Sequence, residues 1–417
     1  MRYLIFYLLS LLCQIATAEI VLDGSLGERA NLTGPNYAID ATLGTQLGNN
    51  LFHSFQEFNL SKDETATFSG ATTINNVIGR ITGGNPSYID GTLRNTIPNA
   101  NLYLINPSGL MFGVNAKLDV QGSFYASTAD VLRFDDGGNF HATTSQDSLL
   151  SSAPPSAFGF LGTVATLQLD GSQLKVPAGK DISLVGGDLT VQANVAAKQV
   201  GALNTVGGEI NLASVTQGDI SIGQGWNLSG QGGTLTVRSS QLNNTADKSG
   251  NIYIRAGKFV LDNSSIATLT ASQNGGTLDI QGDSVEISGG SRISSTSLKN
   301  GKSGDITIQA AESIYIHGQD TTGAGVTLAA NARGTDATAG NAGNITLKAK
   351  KLVMDDGTKL GSASYGGGNG GTISLETTDS ITLQGEDKQT TSSIYLVATG
   401  SGQGGKLNVQ TGKLQTA

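Results

Sequence analysis

The side chains able to do chemistry are few and scattered. The 417-residue chain holds three histidines, His53, His141 and His317, and one cysteine, Cys13. The histidines stand far apart, with no cysteine near them at a metal-ligand spacing. Acidic pairs occur at Asp135-Asp136 and Asp355-Asp356, and His317 is followed by Gly318. A pectin-hydrolase site would need clustered aspartates followed shortly by His-Gly and a basic motif, and both order and spacing fail. A lyase would need a Ca²⁺-binding Asp cluster with an Arg base on one face. Each Asp pair precedes a glycine and reads as a turn. Gly366 to Gly371 formally contains GxGxxG, but a strand pattern follows it, so no helix dipole could meet a phosphate. The expectation is no catalytic residue, no metal and no cofactor.

Composition excludes further classes. Lys+Arg number 25 against Asp+Glu 33, a net charge of −8, without a basic cluster, which excludes nucleic acid as a partner. At 38% hydrophobic the chain is not a disordered polymer. The 58 glycines have no three-residue period, which excludes collagen. The excess of Gly, Thr, Ser and Asn favours strands and turns over helices.

The N-terminus has the form of a secretory signal. Arg2 supplies the positive charge, Leu4 to Ile15 an apolar run, and Ala16-Thr17-Ala18 a small-residue cleavage site, placing the cut between Ala18 and Glu19. The run is shorter than the ~20 residues of a spanning helix, and no second one follows, so the mature chain is expected to lack a membrane span. Cleavage removes the only cysteine. A cysteine-free chain can stay unfolded in an oxidising compartment without cross-linking, which suits passage through a second pore.

Two regions follow. All seven prolines lie at or before Pro177, and ten of the twelve phenylalanines lie between Phe52 and Phe160. Beyond them a phrase Gly-x-[Ile/Leu]-x-[Ile/Val/Leu] returns, as in Gly208 to Leu212, Gly276 to Ile280, Gly304 to Ile308 and Gly371 to Leu375. Strict alternation means a strand with one buried face. No unit can bury that face alone, so the units must stack. The implied fold is all-β, a parallel β-helix with coils of three short strands and about 20–25 residues. At ~4.8 Å per coil the mature chain would make at most ~18 coils and a rod of ~80 Å. The longest loop is expected around Thr321–Ala342.

The densest phrasing lies in residues 50–130. Asn85-Pro86-Ser87-Tyr88-Ile89-Asp90-Gly91 and Asn106-Pro107-Ser108-Gly109-Leu110 stand out. With the phrases around Phe52, Phe55 and Phe58, and Phe124 to Thr128, they resemble the filamentous-haemagglutinin N-terminal domain of two-partner-secretion exoproteins. Asn106 to Leu110 match that family's Asn-Pro-Asn-Gly-Ile motif, with Ser108 for Asn and Leu110 for Ile. Asn85 to Gly91 match its Asn-Pro-Ser-x-Ile/Leu-x-Gly phrase. An Asn-Pro-Asn-Leu motif of one branch is absent. The resemblance implies a right-handed β-helix with an N-terminal cap and export through a cognate outer-membrane transporter with POTRA domains. It places the product in the medium or on the cell surface of a Gram-negative-type envelope. It divides the chain into a signal peptide at 1–18, a secretion domain at 19–180 and a repeat region at 181–417 continuing the solenoid.

Physically, Pro107 fixes φ and Gly109 permits positive φ, so Asn106 to Gly109 should form a tight turn. That turn either shapes the cap or contacts the transporter. Phe52, Phe55 and Phe58 are expected to pack under the cap. The leading reading is an adhesin-like rod with a host-cell, carbohydrate or neighbouring-cell ligand. The rivals are a β-helical polysaccharide-degrading enzyme and the delivery stem of a contact-dependent toxin.

Overall fold

A computed structural model describes residues 19–143, 148–162, 165–223, 225–385 and 391–416. The signal segment, with the cleavage position at Ala18, lies outside the described residues. The chain is all-β, and its one helical turn among the described residues is a 3-10 turn at Ala41–Leu43. The strands stack in parallel ladders on three faces. Face one runs through twelve strands, from Asn50–Phe58, Asn76–Ile81, Asn101–Ile105, Phe124–Ser127 and Ile182–Gly186 to Lys406–Gln410. Face two runs from Ser87–Ile89 and Leu110–Phe112 to Lys413–Thr416. Face three begins as a four-stranded sheet and continues as an eight-stranded one from Gln173–Lys175 to Ser393–Ala398. The chain visits the faces in order and returns, the right-handed path of parallel crossovers. Twelve rungs span about 53 Å, less than the upper bound expected, because the coils are longer than 20–25 residues.

The corners differ in length. In Leu278–Ser288, Ile306–Ile316, Ile345–Met354 and Thr372–Leu383 one strand bends through the corner and serves faces one and two. The register shifts there, as between Gly282 and Ser284. The expected loop at Thr321–Ala342 is largely a corner; within it Thr327–Ala332 is a regular rung of face three. Its Ala-rich sequence hides the alternation. The long insertion lies instead between Phe124–Ser127 and Thr166–Asp170.

Inside, Leu278, Ile306, Ile345 and Ile373 stack as successive rungs, each essentially inaccessible to solvent. A fully buried aliphatic side chain contributes ~1.5–3 kcal/mol, against ~1–2 kcal/mol of entropy for each ordered backbone residue. Only stacking makes a coil stable. At the entry to face one an asparagine ladder fixes register: Asn76 Nδ2 donates to Asn50 Oδ1 at 2.8 Å and Asn101 Nδ2 to Asn76 Oδ1 at 3.0 Å.

The first coil is closed by antiparallel strands. Ile20–Leu22 pairs with the end of Asn50–Phe58, and Thr45–Leu47 with its start. This covers an edge that would otherwise template aggregation. Phe55 and Phe58 pack with Phe68 beneath this cap. Phe52 departs from the expectation: it points to the other side of the sheet and meets Phe134 and Phe140. Alternation along a strand puts Leu51 and His53 inward and Phe52 outward.

A second core covers that outer side. The insertion folds as an antiparallel sheet of Asn139–His141, Val131–Phe134 and Pro155–Phe160, joined to Ile210–Ser221 and Leu228–Gly232. Phe52, Ile78, Tyr103 and Tyr125, the outward row of face one, pack against it.

Candidate functional site

The two Asn-Pro phrases occupy the corner between faces one and two in consecutive coils. Ser87, Tyr88 and Ile89 pair in parallel with Leu110, Met111 and Phe112. Asn106 joins the coils. Its side chain is fully buried; Nδ2 donates to the Asn85 carbonyl and to Ser87 Oγ, both at 3.0 Å. Its Oδ1 accepts from the Ser108 N–H at 2.9 Å, and the Gly109 N–H closes the turn onto the Asn106 carbonyl at 3.1 Å. The Asn106 N–H donates to the Ser127 carbonyl of the next coil at 2.9 Å.

Glycine is required at Gly109, whose φ is +125°. Gly91 stands at the next corner, where a Cβ would lie 2.5 Å from the Glu64 carbonyl oxygen. Pro107, Gly109 and Leu110 are buried and Ser108 partly so. Asn85 and Pro86 are exposed, and Asn85 Nδ2 donates to Glu57 Oε1 at 2.6 Å. Pro86, Ser108, Gly109, Leu110 and Met111 border a shallow groove of about 250 Å³. Glu19 leads into the cap strand, its carbonyl accepting from the Asn59 N–H at 2.9 Å.

The histidines remain apart. His53 takes an aliphatic position in the inner column, and burial lowers its pKa to about 4, against a smaller upward pull from the Leu43 backbone and the Asp40 charge. His141 lies on a strand of the outer sheet. His317 stacks on Tyr315 with ring centroids 3.9 Å apart. Asp136 accepts from the Gly138 N–H, and Asp355 from the Asp356 N–H, so both Asp pairs serve turns. No three His, Cys, Asp or Glu side chains among the described residues gather as a metal site.

Two arginines that no motif marks are buried, Arg80 and Arg255. Arg80 lies under the outer sheet, donating to Ser54 Oγ, the His141 carbonyl, Ser148 Oγ and Ser25 Oγ, with its guanidinium 4.5 Å from the Phe140 ring centre. Burial lowers its pKa, opposed by the Asp23 charge. Arg255 donates to the Trp226 and Gly225 carbonyls, just before Leu228–Gly232, and pairs with Asp279 at 2.9 Å. The signal for Arg80 was present: it is the one charge in the otherwise apolar run Val77-Ile78-Gly79-Arg80-Ile81.

The chain is a parallel β-helix with a capped first coil and two interlocked Asn-Pro corners. The family model for the TPS secretion domain matches residues 18–228, and the chain belongs to that family. The crystal structure of the HMW1 secretion domain from Haemophilus influenzae aligns with a TM-score of 0.48 at 16% identity, over 93% of this chain and 96% of that one. No curated protein sequence matches. Membership makes the chain a two-partner-secreted exoprotein whose secretion domain interacts with a TpsB transporter, and the family is a transport-targeting one, not an enzyme family. Among the described residues no helix is long and apolar enough to cross a membrane.

Proposed function

We propose that this chain is an adhesin-like rod, exported after signal cleavage between Ala18 and Glu19. A cognate POTRA-barrel transporter reads the phrases Asn85-Pro86-Ser87 to Gly91 and Asn106-Pro107-Ser108-Gly109-Leu110 while the chain is extended. An extended segment can add to an exposed sheet edge of the partner, with main-chain hydrogen bonds giving affinity and side chains selectivity. Outside, the coils stack and the chain cannot return. Residues 19–180 act as the secretion domain and 181–417 extend the same solenoid as the surface-presented or released portion.

One observation carries this reading. Two phrases separated in sequence close on each other through Asn106 as the third coil forms. The same side chains can therefore be read first as sequence and later as a clasp. Asn85→Ala separates these roles, because it removes only an exposed bond to Glu57. It should leave the denaturant midpoint unchanged and lower transporter-dependent secretion severalfold. Secretion at the wild-type rate from Asn85→Ala combined with Ser87→Ala would show that the transporter does not read these side chains.

A further inference from the structure

Face three differs from the rest of this acidic protein. Its eight-stranded sheet comprises Gln173–Lys175, Gly201–Thr205, Ser240–Ala246, Ser265–Thr270, Arg292–Ser297, Thr327–Ala332, Lys359–Ser364 and Ser393–Ala398. None of these strands contains an aspartate or glutamate, and their only charges are Lys175, Arg292 and Lys359. The strands of the other two faces carry Asp188, Asp262, Asp279, Glu286, Glu312 and Glu376. The acids on the adjoining corners are held by local partners: Asp262 pairs with Arg238, Asp320 accepts from the Thr322 and Ala324 N–H groups, Asp356 from the Gly318 N–H, and Asp247 from Ser272 and Gln273. Arg292 and Lys359 have no ion-pair partner among the described residues, and both are exposed.

The two cations lie on one row. Arg292 pairs with Thr327, and Thr327 with Lys359, so they stand two rungs apart, about 10 Å. That is close to the two-residue repeat of an extended β-linked polysaccharide. Beside this row lies an aromatic plate. Tyr395 is in register with Gly361, and a Cβ there would sit 1.8 Å from the tyrosine ring. The phenol end of the ring therefore covers Gly361, the one position of the partner strand without a side chain. Burial raises the Tyr395 phenol above its usual value and Tyr365 adds to this, while the charges of Arg292 and Arg333 act against it.

A notch continues the surface at the other end. The corners at Ser239 and Asn263 turn on single residues with φ of 48° and 46°. Wider corners flank them, at residues 193–200 and at Gly289-Gly290. The short corners leave a notch of about 360 Å³ lined by Ser239, Gln241, Asn263, Ser265 and Arg292. Beside the apolar Val200 it offers the hydroxyls and amides of Ser239, Gln241, Asn263 and Ser265, which donate and accept as sugar hydroxyls do.

We propose that face three binds a carboxylated, extended polysaccharide along the rod axis. Tyr395 stacks against a sugar ring's C–H face, as aromatic rings do with flat apolar surfaces. Arg292 and Lys359 take carboxylates from alternate sugars, Arg292 in a two-pronged fashion. The notch takes neutral hydroxyls. The exposed apolar side chains at the ends of these strands, Val200, Val206, Leu298 and Tyr365, stand singly at the corners, so vesicles serve as the control for a lipid surface. This names a ligand class for the adhesin-like rod and rests on that reading, but it is tested on purified protein, independently of export.

The test is calorimetric titration of the mature chain with hexamannuronate, with neutral cellohexaose and with phosphatidylglycerol vesicles. Wild type should bind hexamannuronate at least tenfold tighter than cellohexaose. Arg292→Gln with Lys359→Gln should abolish that preference. Gly361→Ala, which pushes the ring off the sheet, should weaken both sugars at least fivefold with thermal unfolding still cooperative. Lys117→Gln, on the N-terminal sheet, should change neither. Absence of hexamannuronate binding, an equal loss in Lys117→Gln, or binding to the vesicles alone would overturn the proposal.

Discussion

Replacing Asn106 with alanine deletes three hydrogen bonds at a fully buried position, two to Asn85 and Ser87 of the preceding coil and one from Ser108. The Asn85 carbonyl belongs to an exposed residue and can be rehydrated; Ser87 Oγ is 98% shielded and cannot. Leaving a buried polar group unpaired costs ~1–3 kcal/mol. With the Ser108 N–H partly shielded, the total is about 2–4 kcal/mol. Asn106→Asp sharpens the argument. It keeps the acceptor for Ser108 but turns a carboxylate toward the Asn85 carbonyl oxygen. Burial and that oxygen raise the folded pKa above the ordinary ~3.9. A raised carboxylate pKa means the folded state binds the extra proton, so this variant gains stability relative to Asn106→Ala as pH falls through the folded value. Urea midpoints of wild type and both variants at pH 7.5 and 4.5 provide the assay. A loss below about 1 kcal/mol in Asn106→Ala, or a pH-independent difference between the variants, refutes the clasp.

Three further outcomes follow from the same packing. His53 titrates at about 4 when folded against 6.5 in the ordinary group, so the unfolded chain binds more protons between those values and stability falls as pH drops through that window, by about 3 kcal/mol in full. His53→Leu, which keeps an apolar group beside Phe55 and Phe68, should flatten that slope in urea titrations, and an unchanged slope would reject it; Asp181 and Glu209, raised by burial, act oppositely but equally in both proteins. Arg80→Met should cost about 2–4 kcal/mol by stranding buried acceptors, and hydrogen exchange should accelerate at residues 131–141 before 306–316; uniform acceleration would contradict the outer-sheet role. Ile306→Asp should lower the denaturant midpoint far more than Asp305→Ala, because Ile306 is fully buried and Asp305 only partly so; equal shifts would place the register wrongly.

The legible part of this fold was its inner column. Ile306 and Ile308 announce it by alternation, and the chain has no competing helical period there. The outer sheet was not legible, since Val131–Phe134 and Pro155–Phe160 carry no repeat phrase and pair antiparallel with strands distant in sequence. Their phenylalanines were visible as an excess without a place. Proximity in sequence groups Phe52, Phe55 and Phe58, yet Phe52 faces the outer core while Phe55 and Phe58 face the inner one, a division that strict alternation does not give because Phe52 and Phe58 share parity. Corners absorb more residues than the strand phrases imply, as at residues 193–200, so the rung count falls well inside its upper bound. The Asn106 turn followed from Pro107 and Gly109; its reach to Ser87 depends on coil stacking, which no local pattern encodes. The acid-free face was written in the sequence as well, but only the ladder shows that strands such as Arg292–Ser297 and Lys359–Ser364 lie on one surface.

Export through a dedicated partner is the central claim, and the most direct measurement is the amount of mature chain in the medium and on the cell surface with and without the cognate POTRA-barrel transporter. The account predicts that the protein leaves the cell only when the transporter is present, and that without it the chain stays in the periplasm, processed at Ala18. Equal extracellular amounts in both strains would contradict it.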